Sequence, residues 1–220
     1  MESVKISEVI RLASNFSVLV PLVFYLVKIR YASRQVHIIG ALLIVSGLSD
    51  LIGFILFNRQ ESTAVLFNTY YALLFLLLSW FYYEALSVKT LRTMVWIGFA
   101  VYFLSFALVS VYVQSFYEYQ SLMWLITAVF MIIYSIAYFF LSLSSIVNSD
   151  HLGYSLTWIN VGIMIYFCLN LFLFVMGNYV LTQLEPEISA LIWSSHNVNN
   201  IIKNILFALG ISVLAKKSVL

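Results

Sequence analysis

An all-α, integral membrane bundle of seven helices is the fold class this sequence predicts, and three observations predict it. First, 63% of the 220 residues are hydrophobic and only 9% are charged, against about 25% charge in an ordinary soluble domain. A soluble fold of this size could not cover so much apolar surface. Second, the apolar residues come in runs of about 20, the length a helix needs to cross the hydrocarbon core. A transmembrane barrel would show roughly ten-residue alternating segments instead. Third, only two prolines occur, Pro21 and Pro186, which suits long, mostly uninterrupted helices.

Seven runs meet the length requirement, with boundaries good to about two to four residues. The first, about 10–30, contains Pro21; no A-x-A-like cleavage site follows it, so it reads as a retained helix and not a signal peptide. The second, about 36–57, lies between Ala32-Ser33-Arg34-Gln35 and Asn58-Arg59-Gln60-Glu61. The third and fourth, about 64–86 and 92–114, meet at Ser87-Val88-Lys89. The fifth, about 120–146, follows the polar stretch Gln114 to Tyr119 and ends before Asn148-Ser149-Asp150. The sixth is about 153–178 and the seventh about 188–214. Pro186 fits the first turn of the seventh, where Glu185 and Glu187 are favoured by the helix dipole.

Lysine and arginine set the expected orientation. Lys28, Arg30, Arg34, Lys89, Arg92, Lys216 and Lys217 fall on one side, and only Lys5, Arg11 and Arg59 on the other. The N-terminus is therefore expected outside and the C-terminus inside. Trp96 and Trp158 would anchor inner ends, Trp124 and Trp193 outer ends. All loops are short and no linker interrupts the pattern, so residues 1–220 are expected to form one domain without a soluble part.

Several classes of chemistry are disfavoured. The lone Cys168 excludes an intramolecular disulfide and a cysteine-based zinc site. A net charge of +2 gives no argument for nucleic acid. No Gly-rich phosphate loop is present, the three histidines are dispersed, and no metal set is expected. Ser194-Ser195-His196 is not a catalytic dyad, because adjacent helix residues point apart.

The informative stretch is Trp193 to Phe207, which puts Lys203, His196 and a set of asparagines inside the last span. At 100° per residue, His196 and Asn199 fall within about 40° of Lys203, and Asn200 within about 60°. A charge at mid-bilayer costs about 2.5–3.5 kcal/mol on insertion scales. The polar sector must then face the bundle interior or a watery cavity. Asp50, in a helix face kept small by Ser46, Gly47, Ser49 and Gly53, is the one acid deep in a span. It is the expected partner of Lys203, offset by about 5–10 Å along the bundle. Glu84 is expected at the inner interface, within reach of Lys89 or Arg92, and Asn68, Asn160 and Asn170 are expected as packing contacts.

A mid-span lysine in the seventh of seven helices resembles the microbial rhodopsins, which implies retinal as a cofactor on Lys203. The sequence departs from that family: Asn199 stands where an aspartate belongs, the third helix lacks a central arginine and counterion, and the sixth lacks a proline. The whole chain also resembles small bacterial seven-helix proteins associated with sensor histidine kinases. That resemblance implies the bacterial cytoplasmic membrane and a cytoplasmic signalling partner.

The leading expectation is a non-enzymatic receptor- or sensor-like protein with a buried ligand or charge-pair site at Asp50, Lys203, His196, Asn199 and Asn200. Lys89, Arg92, Lys216 and Lys217 would form a basic face for the partner. The rivals are a small transporter or proton-coupled carrier, and a membrane enzyme using Asp50, His196 and Lys203.

Overall fold

The computed structural model describes residues 2–144 and 151–214, and no strand occurs among them. The helices are α1 (Glu2–Ser17), α2 (Leu19–Lys28), α3 (Arg34–Asn58), α4 (Ala64–Ala85), α5 (Lys89–Tyr112), α6 (Ser121–Ser144), α7 (His151–Thr182) and α8 (Pro186–Ser212), with one 3₁₀ turn at Ile29–Tyr31. Six helical stretches are long and apolar enough to cross a membrane: Lys5–Tyr31, Arg34–Asn58, Ala64–Ala85, Lys89–Tyr112, Ser121–Leu143 and Leu152–Thr182. α8, the seventh run expected from the sequence, is not among them by composition. Its 27 residues give ample length, but its asparagines, serines, His196 and Lys203 dilute the apolar content. The break at Asn148-Ser149-Asp150 and the tail with Lys216 and Lys217 lie outside the described residues.

The first stretch is not one helix. Pro21 has no N–H for the carbonyl of Ser17, four residues back, and its ring crowds that carbonyl. α1 ends at Ser17 and α2 restarts at Leu19. Val18 keeps helical dihedrals (φ −63°, ψ −25°), so the helix is interrupted there while the chain continues through it.

α8 packs against α7 on one side and α1 and α2 on the other. Around the bundle, α2 meets α3, α3 meets α4, α4 meets α6 and α6 meets α7, while α5 rests outside on α4 and α6. The α7–α8 seam is tight because it is glycine-lined. A Cβ on Gly210 would lie 2.8 Å from the Ser155 carbonyl oxygen, and one on Gly162 would meet Phe207 at 3.1 Å. Leucine-sized residues there would force the helices apart.

Apolar side chains cover much of the outer surface: Val101, Phe103, Leu104 and Leu108 on α5, Phe140 and Leu143 on α6, and Phe172 on α7 are exposed. Such a belt is costly in water and favourable in hydrocarbon.

Polar side chains inside the bundle are mostly satisfied across helices. Tyr82 donates to Asn160 Oδ1 at 2.7 Å and shares a hydrogen bond with Ser135 Oγ at 2.6 Å, tying α4 to α6 and α7. Asn68 donates to the Phe116 and Glu118 carbonyls at 2.8 and 2.6 Å and accepts from the Gln120 N–H, fixing the α5–α6 connection against α4. At the other end, Glu84 pairs with Arg34 at 3.3 Å and accepts from Trp80, not with Lys89 or Arg92. Arg92 instead donates to the Leu86 carbonyl and lies over the Tyr83 ring. Lys28 donates to the Leu214 carbonyl, joining α2 to the end of α8.

Candidate cavity at the polar face of the last helix

α8 turns its polar sector toward a cavity of about 580 Å³. The lining residues at its mouth are Glu8 and Arg11 of α1, Phe57 at the end of α3, Thr63 before α4, Leu184 after α7 and Pro186 at the start of α8. These all belong to the end of the bundle that carries the N-terminus. The lining then follows α8 from Pro186 to Asn204, on the order of 25 Å at 1.5 Å per residue. Arg11 guards the mouth: it pairs with Glu8 at 3.9 Å and sits 4.2 Å above the Phe57 ring.

Asp50, Asn200 and His196 all line this cavity. Asp50 makes no hydrogen bond or ion pair with any described residue; the ion pairs among described residues are Arg11–Glu8 and Arg34–Glu84. Lys203, 6% exposed, is not part of the lining. Its ammonium donates to Asn200 Oδ1 at 2.7 Å and sits 4.6 Å over the Tyr166 ring. Asp50 and Lys203 therefore interact through space without direct contact, and Asn200 takes the place at the amine that a carboxylate was expected to share.

Asn200 in turn donates to Ser14 Oγ at 3.0 Å, and Asn204 donates to Ser17 Oγ at 2.7 Å, beside the break. The opposite end of the Asn204 amide, Oδ1, is buried with no partner. His196 stacks on Trp193 at 4.9 Å between ring centres and lies against Tyr166 and Phe174; its Nδ1 is likewise buried without a partner. Asn199 is not part of the cavity lining. It donates to Asn170 Oδ1 at 3.2 Å, and Asn170 donates to the Tyr166 carbonyl, so this pair locks α7 to α8.

Reading the sequence alone missed the walls. Tyr70, Tyr71, Tyr166, Tyr119, Phe67 and Trp193 line the cavity. Tyr70 shares a hydrogen bond with Ser46 at 3.0 Å, and Tyr71 reaches the Tyr166 hydroxyl at 3.4 Å. Behind them Trp124, fully buried, stacks on Tyr71 at 5.0 Å and is a core residue, not the interface anchor expected from its position. The adjacent pair Tyr70-Tyr71, one turn from Phe67, was the available signal. Asn15 and Ser49 complete the polar lining.

Among the described residues no group of histidine, cysteine, aspartate or glutamate could hold a metal ion. The site offers one unpaired carboxylate, unpartnered amide and imidazole atoms, and aromatic faces, an arrangement suited to holding a small molecule. No family model, curated protein or solved structure matches this chain.

Proposed function

We propose that this chain is a seven-helix integral membrane protein, N-terminus outside and C-terminus inside, that binds a small molecule in this cavity and reports its occupancy to a separate cytoplasmic partner. α8 would be the seventh span despite its composition, since α1, α2 and α7 cover its flanks. The observation that carries the reading is the cavity itself: its lining runs from the N-terminal end of the bundle to a carboxylate with no hydrogen-bond or ion-pair partner among the described residues. A pocket of roughly 300–1,000 Å³ with a few placed polar groups is the usual form of a ligand site. The excess of lysine and arginine at the opposite end supports the orientation. Lys89 and Arg92, with Lys216 and Lys217 of the tail, supply a basic face for a partner of the sensor-kinase type. Affinity capture from a bacterial membrane extract tests it. A kinase partner that co-purifies, and is weakened by Lys89→Ala with Arg92→Ala, supports reception; no specific partner refutes it.

A carrier is the second reading, and the interruption of the first span at Val18 favours it. Discontinuous helices at mid-depth beside a substrate cavity are a recurring feature of secondary transporters. Flux of a bound compound in proteoliposomes, abolished by Asp50→Asn, would establish transport.

A further inference from the structure

We propose that the cavity takes a small organic cation, an ammonium attached to an apolar or aromatic body, with the cation at Asp50. This rests on the reading of the cavity as a ligand site and names its chemistry.

Several donors around the cavity are engaged with other protein groups. Lys203 donates to Asn200, Asn200 to Ser14, Asn204 to Ser17, and Arg11 is engaged by Glu8 and Phe57. The Tyr70 and Tyr71 hydroxyls are shared with Ser46 and Tyr166. Among the described residues, Asp50 presents a carboxylate with no hydrogen bond or ion pair, and Asn204, 2% exposed, presents a buried Oδ1 with no hydrogen bond. Buried acceptors without donors are costly, by about 1–3 kcal/mol for a neutral group and more for a charge. A ligand that relieves this must bring hydrogen-bond donors or positive charge.

The walls agree. The rings of Tyr70, Tyr71, Tyr166 and Trp193 line the same space, and aromatic faces attract cations and pack apolar bodies equally well. The fold already uses this chemistry there, since the Lys203 ammonium sits over Tyr166. An anion placed at Asp50 would be repelled by its carboxylate. A neutral alcohol could satisfy one acceptor but not the charge.

The test uses the full chain purified in detergent, with tryptophan fluorescence as the reporter and the part of the signal lost in Trp193→Phe assigned to the cavity. The probes are benzyltrimethylammonium and benzylammonium, with benzyl alcohol and benzoate as size-matched neutral and anionic controls. The expected result is saturable quenching by both cations, at least about tenfold tighter than by either control. Asp50→Asn should weaken the cations by at least about tenfold and leave benzyl alcohol unchanged, whereas Asp50→Glu should stay within about threefold of the parent. Equal binding of cation and alcohol overturns the proposal, as does unchanged cation affinity in a folded Asp50→Asn protein. Saturable benzoate binding that exceeds the cations, and is lost in Asn204→Leu, also overturns it while leaving the ligand-site reading intact. If no probe saturates, the cation assignment falls, and partner capture alone then decides the receptor reading.

Discussion

At the scale of single residues, the polar sector of α8 divides into groups that hold the bundle and groups that face the cavity. Asn199 belongs to the first set, because its amide is spent on Asn170. Asn199→Leu should lower stability by about 1–3 kcal/mol, the cost of stranding a buried partner, in chemical unfolding in detergent, and leave probe binding in the cavity unchanged. Asp50 and Lys203 interact without touching. A double-mutant cycle of Asp50→Asn and Lys203→Met should give a coupling of about 1 kcal/mol, at the low end of the range for residues that interact. A coupling of about 3–5 kcal/mol, the cost of breaking a direct buried pair, would mean that the two charges are in contact. The cavity-facing half of this site was legible in the sequence because a charged or amide side chain in a span has to point inward. The tyrosines were not, because an aromatic ring is equally at home against lipid, in a core or on a cavity wall. Only the neighbours supplied by α3 and α7 decide which.

At the scale of elements, one chain reversal and one helix break invite substitution. α3 ends with the Gln60 N–H on the Phe57 carbonyl and the Glu61 N–H on the Leu56 carbonyl, at 3.1 and 3.0 Å, which forces Gln60 to a φ of 57°. Glycine is the residue that takes this left-handed position without strain. Gln60→Gly should therefore raise the unfolding midpoint, by an amount worth roughly 0.5–1 kcal/mol. Pro21→Ala should restore the missing hydrogen bond, straighten the first span and stabilise it. If the break shapes the cavity, the same change should weaken ligand binding while the protein becomes harder to melt. Element positions were readable because apolar runs and polar breaks alternate so plainly along the chain. The break was harder to read: a proline in an apolar run marks a disturbance but not whether the helix bends, breaks or reverses. α8 was readable as a helix but not as an apolar one, since its length and its composition point different ways.

At the scale of the whole molecule, the proposed orientation makes a direct prediction. Cys168 is the single cysteine, so a Cys168→Ser background leaves the chain free for site-directed labelling. In intact cells, a membrane-impermeant maleimide should label Tyr117→Cys, in the α5–α6 connection, and spare Ser87→Cys, between α4 and α5. The reverse pattern would invert the topology and put the cavity mouth inside. The ring order of the helices was not available from the sequence, because every span offers an apolar outer face and many offer a small-residue seam. Contacts as particular as Lys28 to the Leu214 carbonyl, or Gly210 against Ser155, settle which spans are neighbours.

The Lys28 tether has a mechanical consequence. Below Val18 the chain is fastened to the tail end of α8; above it, α1 is held to α8 by hydroxyl–amide bonds through Ser14 and Ser17 and lines the vestibule. The first span is thus fastened to α8 on both sides of the Val18 break, by a charged tether below it and by two neutral bonds above it. A guest wedged beside α1 would load the two neutral bonds first, so strain from its arrival would pass to Asn200 and Asn204 before it reached the lysine tether.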